Sequence, residues 1–340
     1  MTIKDLAAKT GYAVATVSRA LNNNPNVSDK ARAVILQAAE ESGFQLNTNA
    51  KQLKQQKATS ILVVVKGTRN ELFSELVENI QNLTDATSYP LMVDYLDEDC
   101  NEVRRALQLC REKKPLGILF LGGNRQNFRQ DFGKIRVPCV LVTNDASELG
   151  FPNLSSVCVD DLQAARCAMD TLIALGHRKI AIVGGDRQVS DTSRLRYEGC
   201  IRSLSAHGVP FDPERDYAGG RFSYQDGYEA TARLLAEGRQ FTALFAQADV
   251  MAIGAIRALA DHGLRVPGDV SVMGFDGLPL GSFLVPQLSS IGQSAKQLAR
   301  RSVEILTACI EQESGAVHET VPFTLSSRES IRRVEEGSGI

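Results

Sequence analysis

Four histidines and seven cysteines are thinly spread through this 340-residue chain, and what they do not form narrows its chemistry. There is no C-x-x-C and no Cys/His cluster, so neither a zinc site nor a disulfide framework is supported, and reduced thiols are expected. No histidine has a recognisable Ser or Cys partner. Neither G-x-G-x-x-G nor G-K-[ST] occurs, so hydrolytic and nucleotide chemistry lack their usual parts. V-G-G-D (183–186) follows a strand but stands alone, and His177, at a helix-to-strand turn in L-G-H-R, is expected to be structural. The reading is therefore of a protein that is not an enzyme and needs no cofactor or metal. No run of 18 apolar residues is present, which argues against a membrane span. The opening M-T-I-K-D-L has no long apolar core, which argues against secretion and sets the expectation of a cytoplasmic protein.

What is present is globular, with 43% hydrophobic and 23% charged residues. The length calls for two or three compact units. A formal net charge of −2 hides an asymmetry. Residues 1–57 carry eight Lys or Arg against four acids, leaving 30 bases against 36 acids elsewhere. The basic end is the part suited to a polyanion.

Within it, Tyr12 to Asn22 reads Y-A-V-A-T-V-S-R-A-L-N. On a helix, Val17, Ala20 and Leu21 fall on one side, and Val14, Ala15, Ser18, Arg19 and Asn22 on another. The second face is small and ends in a guanidinium. That suits a helix in a DNA major groove: little bulk, one bidentate donor for guanine, and apolar contact for a thymine methyl. Taken alone, the stretch reads equally as a short amphipathic surface helix. Its neighbours favour the first reading. Thr2 and Asp5 look like a capping box for a preceding helix with Ile3, Leu6 and Ala7 inward, and Gly11 ends it. Ser28 is placed to cap a third helix with Ala31, Ile35, Ala38 and Ala39 inward, and Gly43 to close it. Three short helices with a tight glycine turn make a helix-turn-helix module. Residues 45–57 have no large apolar face except Leu53 and read as a linker able to fold on DNA, with Leu53 as a wedge between base steps. The alternative is a flexible tether with an incidental leucine.

From Ser60 the pattern alternates strands at 61–65, 90–95, 117–121 and 138–142 with helices near 71–87, 99–113 and 125–134. It then restarts: helix 162–175, strand 179–183, helix 191–207, strand 242–246, helix 249–262, strand 270–275, a crossing at 290–293, helix 295–310 and a late strand at 321–323. Near-continuous apolar strands alternating with amphipathic helices mean parallel sheets covered on both faces. Ligands belong at the carboxyl ends of such strands.

In order, the motifs I-K-D-L-A through T-V-S-R-A-L-N (3–22), V-S-D-K-A-R (27–32), L-I-A-L-G-H-R-K-I-A-I-V-G-G (172–185), D-V-M-A-I-G-A (249–255), V-P-G-D-V-S-V-M-G-F-D (266–276) and P-Q-L-S-S-I (286–291) resemble bacterial transcription regulators of the LacI/GalR type. The resemblance implies an all-α helix-turn-helix DNA-binding domain (1–46), a hinge helix or linker (47–59) and an α/β periplasmic-binding-protein-like effector domain (60–340). The last has two doubly wound parallel-sheet lobes, about 60–160 plus 291–320 and about 161–290 plus 321–340. It further implies that Arg19 and the Val14-Ala15 pair read bases, the pair being similar to that of galactose-type repressors. Thr2, Thr16, Ser18, Asn22 and Ser28 would meet phosphates, and Leu53 would wedge the minor groove of a pseudo-palindromic operator bound by a homodimer.

For the cleft, Arg196 aligns with the family's effector arginine. Asp276, Asp249 and Gln293 supply polar groups, and Phe73 and Phe222 align with stacking aromatics. Together they imply a sugar or sugar derivative. Plain structural roles compete: Asp249 as a helix cap, Phe73 in the core, Arg196 on a helix surface. This chain departs from the pattern at Gly11-Tyr12-Ala13 (usually Gly-Val-Ser), at Leu46 (usually proline), at Ala248 (commonly asparagine) and at Lys66-Gly67 (commonly Pro-Asp). The last two remove expected ligand contacts, so the effector need not be a plain hexose. Rival readings are control by a protein partner or by a non-sugar metabolite such as a nucleobase, and a stand-alone two-lobed binding protein.

Overall fold

The computed structural model describes residues 3–21, 27–42, 60–67, 70–85, 87, 89–312 and 314–334. The chain divides into two compact units, 1–57 and 58–340.

In the first unit, α1 (Ile3–Thr10), α2 (Val14–Leu21) and α3 (Asp29–Glu41) enclose a small core in which Leu6, Val17 and Ile35 are fully buried. Gly11 joins α1 to α2 at φ +74°, a left-handed conformation that glycine adopts without strain. Ser28 caps α3, its hydroxyl accepting from the Ala31 amide at 3.4 Å. Ala31, Ile35, Ala38 and Ala39 are buried, as the apolar spacing requires. The expected Gly43 cap, and Thr2 of the expected capping box, lie outside the described residues.

The second unit begins with β1 (Ile61–Lys66), α4 (Glu71–Asp85), β2 (Leu91–Leu96), α5 (Glu102–Lys113), β3 (Gly117–Leu121), α6 (Arg125–Asp131), β4 (Cys139–Val142) and β5 (Leu154–Cys158). It continues with α7 (Asp161–Ala174), β6 (Ile180–Gly184), α8 (Asp191–Ala206), β7 (Tyr217–Gly219), α9 (Tyr224–Ala236), β8 (Ala243–Ala246), α10 (Asp249–Asp261), β9 (Ser271–Asp276) and β10 (Ser289–Gln293). Helix α11 (Ala295–Gln312) and strands β11 (His318–Thr320) and β12 (Phe323–Ser326) complete it. Among the described residues these strands form two six-stranded sheets, ordered β11-β5-β4-β3-β1-β2 and β12-β10-β9-β8-β6-β7. Every pairing is parallel except β10 with β12.

The first sheet shows why its strands read as unbroken apolar runs. Ile61, Val63 and Val65 belong to one buried cluster with Leu76 and Ile80 of α4 and Leu298 of α11. The intervening Leu62 and Val64 belong to another with Val103 of α5 and Phe128 of α6. Both faces of β1 are covered, so alternation has no polar side to show. Strand β10 runs to Gln293 inside the second sheet, so the return to the first sheet falls at Ser294 and not at Ile291. Strands β5 and β7 and helix α9 interrupt stretches in which the sequence pattern signals no element. No helix among the described residues is long and apolar enough to cross a membrane.

Candidate functional site

Helix α2 displays the two faces its sequence implies. Val17 and Ala20 are buried, while Val14, Ala15 and Arg19 are exposed and Thr16 and Ser18 half-buried. The Ala13 carbonyl accepts from the amides of Thr16 and Val17 at 2.8 and 3.0 Å. Ala13 has no side-chain oxygen for the first-turn amides, which follows from the departure at this position. Ser28 is exposed and its hydroxyl is engaged as the α3 cap. Thr2, Asn22 and Leu53 lie outside the described residues.

The second candidate is a cavity of about 700 Å³ between the carboxyl ends of the two sheets. Lys66 and Gly67 at the end of β1, Gly122 to Asn124 after β3, and Thr143 and Asn144 after β4 line it together with residues that follow β6 or lie in or just beyond β7, β9 and β10. Phe73, Arg196, Phe222, Asp276 and Gln293 all line it. Phe73 lies so close to the end of β3 that a Cβ on Gly122 would come within 2.9 Å of its ring. Phe222 leans in the same way on Gly185. Glycines at the strand ends let both rings form the walls.

The polar floor is a network around Asp276, whose φ of +117° is unusual for any residue but glycine. Its Oδ1 accepts from Gln293 Nε2 at 2.8 Å and lies 3.8 Å from Arg196 Nη1. Its Oδ2 and the Oε1 of Gln293 are buried with no donor among the described residues. Burial pushes the Asp276 carboxyl up to about 6, against the lowering effect of the Arg196 guanidinium. Arg196 itself is held from behind: Nε donates to Asp161 Oδ1 at 2.7 Å, Nη1 to the Gln247 carbonyl at 2.5 Å, and Cζ lies 3.6 Å from the Phe275 ring centroid. It is thus as much a strut of the wall as a donor into the cavity.

Asp249, expected in the cleft, lies elsewhere. It is buried but does not line the cavity. Its Oδ1 accepts from Ser290 Oγ and its Oδ2 from the Leu278 amide, each at 2.6 Å. Nor is it the helix cap, since Ala248 occupies that position. It instead ties the turn after β9 to β10, and so sets the direction of Asp276. Burial, followed by the neighbouring Asp276 charge, pushes its carboxyl up to about 8. His177 is structural, bridging Thr242 Oγ1 at 2.9 Å and the Arg332 carbonyl at 3.1 Å.

Sequence reasoning missed Asp161, Arg187, Tyr217 and the contacts that join the two sides of the cavity. Asp161 hides behind Asp160, which caps α7 through the Gln163 amide. A pair of acids at a helix start carries no sign of which one turns inward. Across the cavity, Arg221 pairs with Asp99 and lies 3.6 Å from Asp97, Tyr224 donates to Glu71, and Asn144 Nδ2 donates to Thr192 Oγ1 at 3.1 Å. Such pairs join residues 48 to 153 positions apart and leave no local pattern.

Residues 2–47 match the family described as bacterial regulatory proteins, lacI family, and residues 169–331 a periplasmic binding protein-like domain. Over 335 residues the chain is 34% identical to the HTH-type transcriptional regulator MalR of Clostridium butyricum, covering 97% of this chain and 99% of that one. A lac repressor dimer bound to operator and the anti-inducer ONPF has TM-score 0.71 and 26% identity, over 98% of this chain and 99% of the other. A complex of the transcriptional regulator CelR with cellobiose has TM-score 0.70 and 25% identity, over 97% and 99%.

Proposed function

The chain belongs to the lacI family of bacterial regulatory proteins, DNA-binding transcriptional regulators and not enzymes, and from that premise we propose a homodimeric repressor whose operator affinity is set by a carbohydrate-like effector in the inter-sheet cavity. The division follows the sequence: 1–46 binds DNA, 47–59 joins, 60–340 binds effector and dimerises. A cytoplasmic location fits binding to operator DNA. Val14, Ala15 and Arg19 read bases. Thr2, Thr16, Ser18, Asn22 and Ser28 meet phosphates, and Leu53 wedges a central step. A pseudo-palindromic operator goes with two such modules related by a two-fold axis. Dimer formation is supported by apolar side chains that the chain leaves in water: Phe283 is 81% and Val285 96% exposed, and Val93 and Tyr95 project from the edge strand β2.

The observation that carries the effector reading is the pair of buried oxygens without donors among the described residues, Asp276 Oδ2 and Gln293 Oε1, in the cavity floor. Each unpaired acceptor costs about 1–3 kcal/mol. Neighbouring hydroxyls of a sugar supply the missing donors, while Phe73 and Phe222 offer apolar faces to its C–H side. The cellobiose held by CelR supports this class of ligand. A thermal-shift screen of sugars and sugar derivatives against the full chain tests it. An effector at 100 times its Kd adds about 2.7 kcal/mol of stability, and Asp276→Asn removes that gain. Stabilisation by nucleobases alone would replace this reading.

A further inference from the structure

Resting on the effector reading above, we propose that the effector carries an anionic group, a phosphate or a carboxylate, and that Arg187 is the residue that selects it. Four cations line the cavity: Lys66, Arg187, Arg196 and Arg221. Three are matched by a carboxylate of the protein: Lys66 by Glu102 at 2.6 Å, Arg196 by Asp161 at 2.7 Å, and Arg221 by Asp99. Arg187 has no ion pair among the described residues.

What holds Arg187 is aromatic. Its Cζ lies 4.3 Å from the Tyr197 ring centroid and 4.6 Å from that of Tyr217, and the two rings meet edge to face at 5.3 Å. Cation–π contact orients a guanidinium without discharging it. Burial pushes both phenols above their usual range, so each stays neutral, and the contact of Arg187 with the Tyr197 hydroxyl brings no counter-charge. Among the described residues no cavity carboxylate lies within ion-pair distance of Arg187, and each has other partners or a reason to be neutral. Asp186 accepts from the Gln188 amide, Asp226 from the Arg221 amide and Ser223, and Asp276 from Gln293. Burial raises the carboxyl of half-buried Glu98, which disfavours its charged form. A stacked, half-buried guanidinium with its fork directed by two rings is a preorganised site for a planar carboxylate or a phosphate.

Calorimetric titration of the full chain with matched triplets, each hexose or pentose as free sugar, as uronate or aldonate, and as phosphate ester, tests the assignment. The expected result is an anionic member binding at least about tenfold tighter than its neutral counterpart, the size of one charge-assisted contact. Arg187→Gln should bring the anion down to the affinity of the neutral sugar, and Arg187→Lys should retain part of the preference. The carboxylate and phosphate arms decide which anion it is. Equal binding of neutral and anionic members, or a preference unchanged in Arg187→Gln protein of normal melting temperature, overturns the role of Arg187 and leaves the carbohydrate reading standing. Binding of no member, with nucleobases stabilising the chain, overturns both.

Discussion

Asp249 at the start of α10 and Asp276 at the end of β9 are both buried carboxyls, and they do different work. Asp276 faces the cavity; Asp249 accepts two hydrogen bonds that shape the turn beneath it. Both titrate above the ordinary carboxylate range, at about 6 and about 8. At these two positions the folded chain therefore binds more protons than the unfolded one between about pH 4 and pH 8, and the stability they contribute falls as pH rises through that window. Each group contributes at most about 1.4 kcal/mol per pH unit. Denaturant unfolding at pH 5 and pH 8 should show the folded state weaker at pH 8, and Asp249→Asn should flatten the difference. A stability that climbs from pH 5 to pH 8 would contradict this account of the two carboxyls. The sequence placed both residues at strand or helix ends but not their directions. Those depend on the turn at Gly277 (φ +73°) and on the Leu278 amide, which a periodicity does not encode.

At the scale of elements, α2 was legible because its two faces differ in size and polarity over eight residues. Exposed Arg19 stands beside the small residues Ala15 and Ser18. Arg19→Ala should cost about 1–3 kcal/mol per half-site and relax discrimination at one base pair, measured by binding to operator variants. An equal loss on operator and random DNA would make it a phosphate contact. Strand β5, L-S-S-V-C, was illegible because Ser155 and Ser156 break its apolar run. Both are buried and satisfied by β11 and its approach, through the Val317 amide at 3.0 Å and His318 Nδ1 at 2.8 Å. Those partners lie about 160 residues away. Helix α9 escaped for another reason: it packs by close approach more than by an apolar stripe. A Cβ on Gly227 would meet the Met251 carbonyl at 2.3 Å, and one on Gly254 the Tyr224 carbonyl at 2.0 Å. Helices α9 and α10 therefore touch backbone to backbone. Gly254→Ala should force them apart and destabilise the second unit by roughly 1–3 kcal/mol, read as a lower melting temperature. An unchanged melting temperature would mean the helices part without cost.

For the whole molecule, the cavity is also the seam between the two sheets, which the chain crosses after β5, after β10 and after β11. Three thin crossings permit the sheets to move as bodies, and the side-chain contacts across the seam are the groups that change partners when they do. Arg221 with Asp97 and Asp99, and Tyr224 with Glu71, stand at that seam. An effector alters operator affinity only by binding one arrangement of the sheets better than another. Reciprocity is then obligatory: the operator must change effector affinity by the same factor, typically about 5–150-fold. Arg196→Ala is a poor probe of this coupling, because it leaves the buried Asp161 carboxylate without its cation, a loss of about 3–5 kcal/mol in comparable sites. Asp276→Asn is the better probe, since it removes one acceptor and keeps the shape. With a sugar that stabilises the chain and an operator selected from random DNA, operator titration with and without sugar should show the factor. Sugar titration with and without operator should return the same factor, and Asp276→Asn should reduce it toward one while sugar-free operator binding stays within about twofold. Unequal factors in the two titrations would show that sugar and operator are not linked through a single equilibrium of the sheets, and a full factor in Asp276→Asn would move the effector away from the floor of this cavity.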